Sequence, residues 1–216
     1  QELRQKTRDY KYVQVKFHKN LLHAPAASIK NSRFMFACSA WIPGNRKLEH
    51  LRLSIFRNAR NHLYHAEAEG ISIRPGNLDE IGTLLGQDPY YSKTGMDLNK
   101  LQNILNEFSQ DDSVALVSAV KEPAIFAAGV FIRSGNSWYL LINLINKHHK
   151  SRSANTALIW QGICLALENN CDFHFDGSLQ TGIMQRFKSF DAETFSYCYG
   201  GWYSSRFLKK LHSLWI

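Results

Sequence analysis

Three apolar runs lie almost end to end in the middle of the chain, at 114–120, 124–133 and 138–145. Each has the length of a strand and is apolar enough to sit centrally in a sheet. Ser134-Gly135-Asn136-Ser137 supplies a hairpin turn between the last two. This block constrains the fold more than any other feature, because helical patterns flank it on both sides. Before it, Asn77 is placed to cap a helix whose first turn carries Asp79 and Glu80, and a second helix is expected over 97–108. After it come a polar loop (146–153), a helix over 155–169, a strand over 172–175, a helix over 179–190 and a strand over 194–199. That order predicts an α+β fold with a mixed, mostly antiparallel sheet flanked by helices, and excludes a doubly wound parallel sheet.

Upstream, alternation predicts strands over 10–17 and 33–41. Leu51, Ile55, Ala59, Leu63 and Ala66 then repeat at spacings of four or three, which predicts one amphipathic helix over 48–69 stopped by Gly70. A short strand is expected over 71–74, and an amphipathic helix over 204–216.

Composition bounds the function classes. With 44% hydrophobic and 20% charged residues in 216, the chain has the make-up of a soluble globular protein with a full core. No run reaches the roughly 18 apolar residues that a membrane span requires. The four cysteines form no Cys-x-x-Cys pair or zinc-like spacing, so reduced core cysteines in a cytoplasmic protein are expected, with no metal site. Charge is uneven: residues 1–65 carry 13 Lys/Arg against 3 acids, and residues 66–216 carry 13 against 15. The basic part suits an anionic partner, or is simply a solvated face.

Two stretches carry a family likeness. In SIFRNARNHLYHAEAEGISI, an arginine (Arg57 or Arg60), Ala66 and Gly70 stand where FemAB-like proteins have Arg-Arg, Ala and Gly. In NTALIWQGICLALENNCDFHFDGSLQTGIMQRFKSFDA, the residues Leu158, Trp160, Phe175, Asp176, Gly177, Ser178, Phe187, Lys188 and Phe190 match that family's Leu-x-Trp, Phe-Asp-Gly-Gly/Ser and Phe-Lys-x-x-Phe-Gly signatures. The chain therefore resembles, over roughly 48–200, the FemAB-like subgroup of the GNAT superfamily of N-acyltransferases. It departs at Asp191, where the family has glycine, and in the Gly-rich donor loop of acetyl-CoA users, which is missing. Residues 1–47 read as a basic segment that is either the remnant of a first GNAT-like domain or a separate arm, and 48–216 as the GNAT-like domain.

The resemblance implies transfer of an acyl or aminoacyl group from acyl-CoA or aminoacyl-tRNA, as a cosubstrate, to an amine acceptor. No tightly bound cofactor is implied. Two parted central strands would hold the donor, through backbone near Leu141 and Asn143, and a helix N-terminus would take its phosphates. The corresponding loop offers Lys147, Lys150, Ser151, Arg152, Ser153 and Asn155, with a solvated basic loop as the alternative. Lys188 would stabilise negative charge developing on an oxygen. Asp176 admits two roles, proton acceptor or helix cap. Arg57 and Arg60 would hold the acceptor, or line a solvated face. His148 and His149 are adjacent on a loop, point apart and have no third ligand in view. The alternative functions are a non-catalytic GNAT-like domain and a nucleic-acid-binding module that uses the basic N-terminal region; tRNA is a partner where the donor is an aminoacyl-tRNA.

Overall fold

The computed structural model describes residues 12–16, 32–94, 97–108, 113–175 and 181–203. The apolar stripe expected over 48–69 is buried at all five positions, yet it belongs to two helices, α1 (Leu48–Ser54) and α2 (Arg57–Ala68). The break has a tertiary cause: the Phe56 N–H donates to the carbonyl of Ser189 at 2.8 Å, so it is lost to the helical ladder. Gly70, at φ +71°, ends α2 as expected.

Eight strands form one sheet in the order β1-β8-β2-β7-β6-β5-β4-β3. They are β1 (Tyr12–Lys16), β2 (Ser32–Ile42), β3 (Ser72–Pro75), β4 (Val114–Lys121), β5 (Ala124–Ser134), β6 (Ser137–Ile145), β7 (Asp172–His174) and β8 (Glu193–Tyr203). Every neighbouring pair is antiparallel except β6 and β7. The fold is thus α+β with a mixed sheet, as the order of elements predicts. The boundary expected at residue 47 falls between β2 and α1. Ala40 and Ile42 of β2 and Leu51 of α1 share one core. The helix expected over 204–216 lies outside the described residues.

Helices cover both faces. On one side α1, α2 and α6 (Arg152–Glu168) pack over Phe131, Trp138, Leu140 and Phe173. On the other, α3 (Leu78–Gln87) and α5 (Leu98–Phe108) pack over Ala128, Val130, Ile142 and Leu144, with α4 (Pro89–Thr94) between them in sequence. Asn77 caps α3, accepting the Glu80 N–H at 2.9 Å. Glu80 also ties this helix to the sheet, taking hydrogen bonds of 2.6 Å from Arg74 on β3 and from Ser118 on β4. Burial pushes its carboxyl up, but these donors and the Arg74 charge outweigh burial and hold it below the ordinary value.

The last helix, α7 (Thr181–Lys188), is fixed by aromatics. Phe187 and Phe190 are buried against Phe175, at ring-centroid distances of 4.5 Å and 5.9 Å. The next residue, Asp191, has φ +58°, a conformation that favours glycine. The glycine expected from the family pattern is thus replaced by a residue that tolerates this backbone, and whose carboxylate pairs with Arg46. The Arg46 guanidinium also donates to the Asp191 carbonyl at 2.7 Å.

Among the described residues no three His, Cys, Asp or Glu side chains gather as a metal site, and no helix is long and apolar enough to cross a membrane. Cys38, Cys164 and Cys171 are free thiols. Burial, with a smaller push from the Glu168 charge, raises Cys164 to about 11, which leaves it protonated and unreactive near neutral pH.

Candidate functional site

The two parallel strands at the centre of the sheet stay together for only three residues. Ser137 pairs with Asp172, Trp138 with Phe173 and Tyr139 with His174. Beyond that point β7 ends, and the Phe175 N–H turns to the carbonyl of Ala40 on β2 at 3.1 Å. Meanwhile β6 runs on to Ile145, paired only with β5. Among the described residues, one edge of 140–145 therefore faces no strand.

Within that stretch β6 bulges. Its register against β5 steps from Phe131↔Leu140 to Val130↔Ile142, leaving Leu141 without a partner. The extra residue swaps the faces of everything after it. Trp138 and Leu140 join the core under α2 and α6, whereas Ile142 and Leu144 join the core under α3 and α5. Asn143 is thereby turned onto the α6 side, opposite Gly129, whose Cβ position faces Leu158 of α6 at 3.0 Å. The Asn143 Oδ1 is buried without a hydrogen-bond partner among the described residues.

From β6 the chain enters α6 through a loop shaped by Asn146. Its amide nitrogen donates to the Ile125 carbonyl at 2.7 Å, and its oxygen accepts the N–H groups of His148 at 2.8 Å and His149 at 3.2 Å. The adjacent histidines thus serve through their backbone, and both side chains are exposed. The helix begins three residues earlier than its apolar pattern suggests, because Ser151 caps it by accepting the Ala154 N–H at 3.0 Å. Arg152 and Ser153 consequently stand in the first turn of a helix, where N–H groups point outward and the dipole favours anions.

This first turn is not solvated on all sides. Ser153 is 7% exposed and Asn155 is 1% exposed, and neither polar atom of the Asn155 side chain has a hydrogen-bond partner among the described residues. His62 of α2 reaches across, its Nδ1 lying 3.4 Å from the Ser153 Oγ. Burial, and then the charges of Arg152, His65 and Arg186, push the His62 imidazole below its ordinary value. Arg186 of α7 is half-buried, and burial together with the Arg152 charge lowers it too. No carboxylate forms an ion pair with Arg152 or Arg186 among the described residues.

Comparison with solved structures gives a consistent picture. FemX matches with TM-score 0.64 at 11% identity, over 91% of this chain and 68% of that chain. A putative acetyltransferase of the GNAT family from Novosphingobium aromaticivorans matches with TM-score 0.53 at 10% identity, over 90% and 75%. The chain shares the fold of these two proteins, a GNAT-like fold. A conserved protein of unknown function from Bacteroides thetaiotaomicron shares it, with TM-score 0.57 at 11% identity over 94% and 72%. No protein-family model and no curated protein matches the sequence.

In this GNAT-like frame the described residues expected from sequence fall into four groups. Ser151, Arg152, Ser153 and Asn155 gather at the start of α6, beyond the free edge of β6 that carries Leu141 and Asn143. Lys147 and Lys150 are exposed on the loop before it. Lys188 is exposed at the end of α7, while its neighbours Phe187 and Phe190 are buried. Arg57 and Arg60 are exposed on the face of α2 opposite Ala59, Leu63 and Ala66, beside exposed Phe56 and Tyr64. Asp176 lies outside the described residues. His62 and Arg186 were not singled out from the sequence. His62 lies off the apolar stripe of its helix and Arg186 two places before Lys188, so neither carries a local signal.

Proposed function

We propose that this chain is a transferase that moves an acyl or aminoacyl group from a phosphate-bearing donor, a CoA thioester or an aminoacyl-tRNA, to an amine. The observation that carries this reading is the free edge of β6, bulged at Leu141, leading to the N-terminus of α6, where Arg152 has no ion pair among the described residues. An extended donor arm lying along 140–145 finds unpaired backbone there. Its phosphates reach Arg152, Arg186 and the first N–H groups of α6.

The chemistry follows from that placement. An unprotonated amine attacks the donor carbonyl carbon, and the new N–C bond forms as the carbonyl oxygen takes negative charge. A backbone N–H at the bulge, already fixed in position, stabilises that oxyanion without reorganising. The tetrahedral adduct collapses, the C–S or C–O bond to the donor breaks, and a proton from the attacking nitrogen, which became cationic as the N–C bond formed, goes to the departing thiolate or alkoxide. Asn143 and Asn155 supply amide groups of the kind that hydrogen-bond a polar donor arm.

Donor binding should stabilise the fold. At a concentration one hundred times the dissociation constant, CoA, acetyl-CoA or an aminoacyl-tRNA is expected to add about 2.7 kcal/mol, read as a rise in Tm. Absence of a shift with all three would refute the reading. A shift with only one of them identifies the donor class.

A further inference from the structure

We infer that the outer face of α1 and α2 docks on an anionic lipid bilayer, with Leu53 and Phe56 entering the interface and Arg57 and Arg60 meeting the headgroups. The inference does not rest on the donor reading, and it concerns a surface that the transfer chemistry leaves unused.

From His50 to Ala66 the sequence has three arginines and no acid. Folding sorts this stretch onto two faces. Leu51, Ile55, Ala59, Leu63 and Ala66 turn into the core. On the outside Leu53 is 71% exposed, Phe56 54% and Tyr64 68%. The other exposed large hydrophobics among the described residues, Tyr90 and Leu98, belong to α4 and α5. Phe56 is not displayed by a loose loop: its N–H is bonded to the Ser189 carbonyl at 2.8 Å, so the ring is held outward on a fixed backbone. Arg57, Arg60 and Tyr64 follow at spacings of three and four and share the outer face of α2. The Arg52 guanidinium pairs with Glu67 at 3.5 Å, which ties the end of α1 to the last turns of α2 and keeps Leu53 on the side of Tyr64. Arg57 and Arg60 form no ion pair among the described residues. The exposed acids Glu49, Glu67 and Glu69 stand only at the two ends of the stretch.

A grouped set of exposed apolar side chains marks an interaction surface, and the charge beside it says what kind. An anionic bilayer satisfies all three types of side chain at once. Leucine and phenylalanine partition into the boundary between headgroups and acyl chains. Tyrosine favours the same level, because its ring is apolar and its hydroxyl is wet. Each arginine lays its stem along the apolar surface and puts its guanidinium on a lipid phosphate. A single-stranded nucleic acid would use the arginines and the two aromatic faces, but it gains nothing from Leu53, the most exposed of the three, which has no π-face to stack on a base. The surface also sits apart from the donor cradle. His62, which meets Ser153 at the start of α6, lies on the other side of α2 from Arg60 and Tyr64. A docked chain therefore keeps the free edge of β6 and the first turn of α6 open to a donor from solution.

The test is co-sedimentation of the full chain with vesicles of phosphatidylcholine alone, and of phosphatidylcholine containing about one-third phosphatidylglycerol. The chain should bind the anionic vesicles and leave the neutral ones, and binding should weaken as salt rises. Leu53→Ser/Phe56→Ser and, separately, Arg57→Gln/Arg60→Gln should each lower the affinity by about tenfold or more. Tyr90→Ser, on α4, should bind as the parent chain does. All the replaced side chains are exposed, so the Tm of each variant should match the parent's, and the apolar and basic pairs test the face independently if one of them unfolds. Equal binding to neutral vesicles, no binding to anionic ones, or undiminished binding by the double variants overturns the inference. So does a chain that ignores vesicles while the same substitutions release a single-stranded oligonucleotide or split a dimer, since the face then belongs to nucleic acid or to a second copy of the chain.

Discussion

Replacing Arg152 and Arg186 together by glutamine is expected to weaken donor binding by at least about a hundredfold while leaving the free protein as stable as before, or more so. The size follows from hydrogen bonds to charged groups, each contributing about 1.5–3 kcal/mol, with about 1.4 kcal/mol for each tenfold in affinity. The opposite sign in stability follows from the absence of acid partners. Neither arginine forms an ion pair among the described residues, and burial and the neighbouring Arg152 both act against the charge on Arg186. A structural arginine behaves in the other way, since removing one partner of a buried pair destabilises strongly. Binding isotherms with the donor identified by thermal shift, alongside unfolding curves of the unliganded variant, separate the two cases. A variant that binds within threefold of the parent chain, or that unfolds several degrees lower, contradicts the assignment.

The second large effect concerns Gly162→Ala. In an ordinary helix interior this change stabilises, by roughly 0.8–1 kcal/mol. Here a Cβ would lie 2.1 Å from Phe131 Cε1, with two further ring atoms at 2.7 Å. Phe131 cannot withdraw, because it is fully buried and its ring meets Phe173 at 6.2 Å. Overpacking of this kind costs about 1–3 kcal/mol, which for a chain of this length corresponds to a Tm lowered by roughly 2–12 °C. Phe131 also pairs with Leu140, next to the bulged Leu141, so relief of the clash pushes on the donor edge. The variant should lose donor affinity together with stability. An alanine variant as stable as the parent would show that α6 moves freely over the sheet, contrary to this packing.

Local sequence pattern marks three features: periodicity the five buried positions from Leu51 to Ala66, residue type the cap at Asn77, and apolar runs of strand length the three consecutive strands. These depend on local hydrogen bonding and on one face meeting the core. The division of α1 from α2 left no local trace, because it depends on a hydrogen bond from Phe56 to Ser189, far along the chain. The early start of α6 was hidden for a different reason: its first residues are polar, so Ser151 to Ser153 read as loop until the cap is seen. Ser151, Arg152, Ser153 and Asn155 nonetheless stand out in the sequence as a candidate anion cradle, since small polar residues and cations before an apolar helix are a local pattern. His62 was not, because it meets Ser153 across 91 residues of sequence. The Phe-Lys-Ser-Phe stretch draws attention to the exposed Lys188, whereas the half-buried cation of α7, whose pKa burial and the Arg152 charge lower, is Arg186.

The most direct test of the central claim is hydrogen–deuterium exchange of the full chain with and without the donor that raises its Tm. If the donor arm lies along the free edge of β6 with its phosphate on α6, amides in 140–145 and 152–155 exchange more slowly when it is bound, and those of α3 and α5 on the opposite face do not change. Protection confined to other segments, with 140–145 and 152–155 unaltered at saturating donor, would contradict the account.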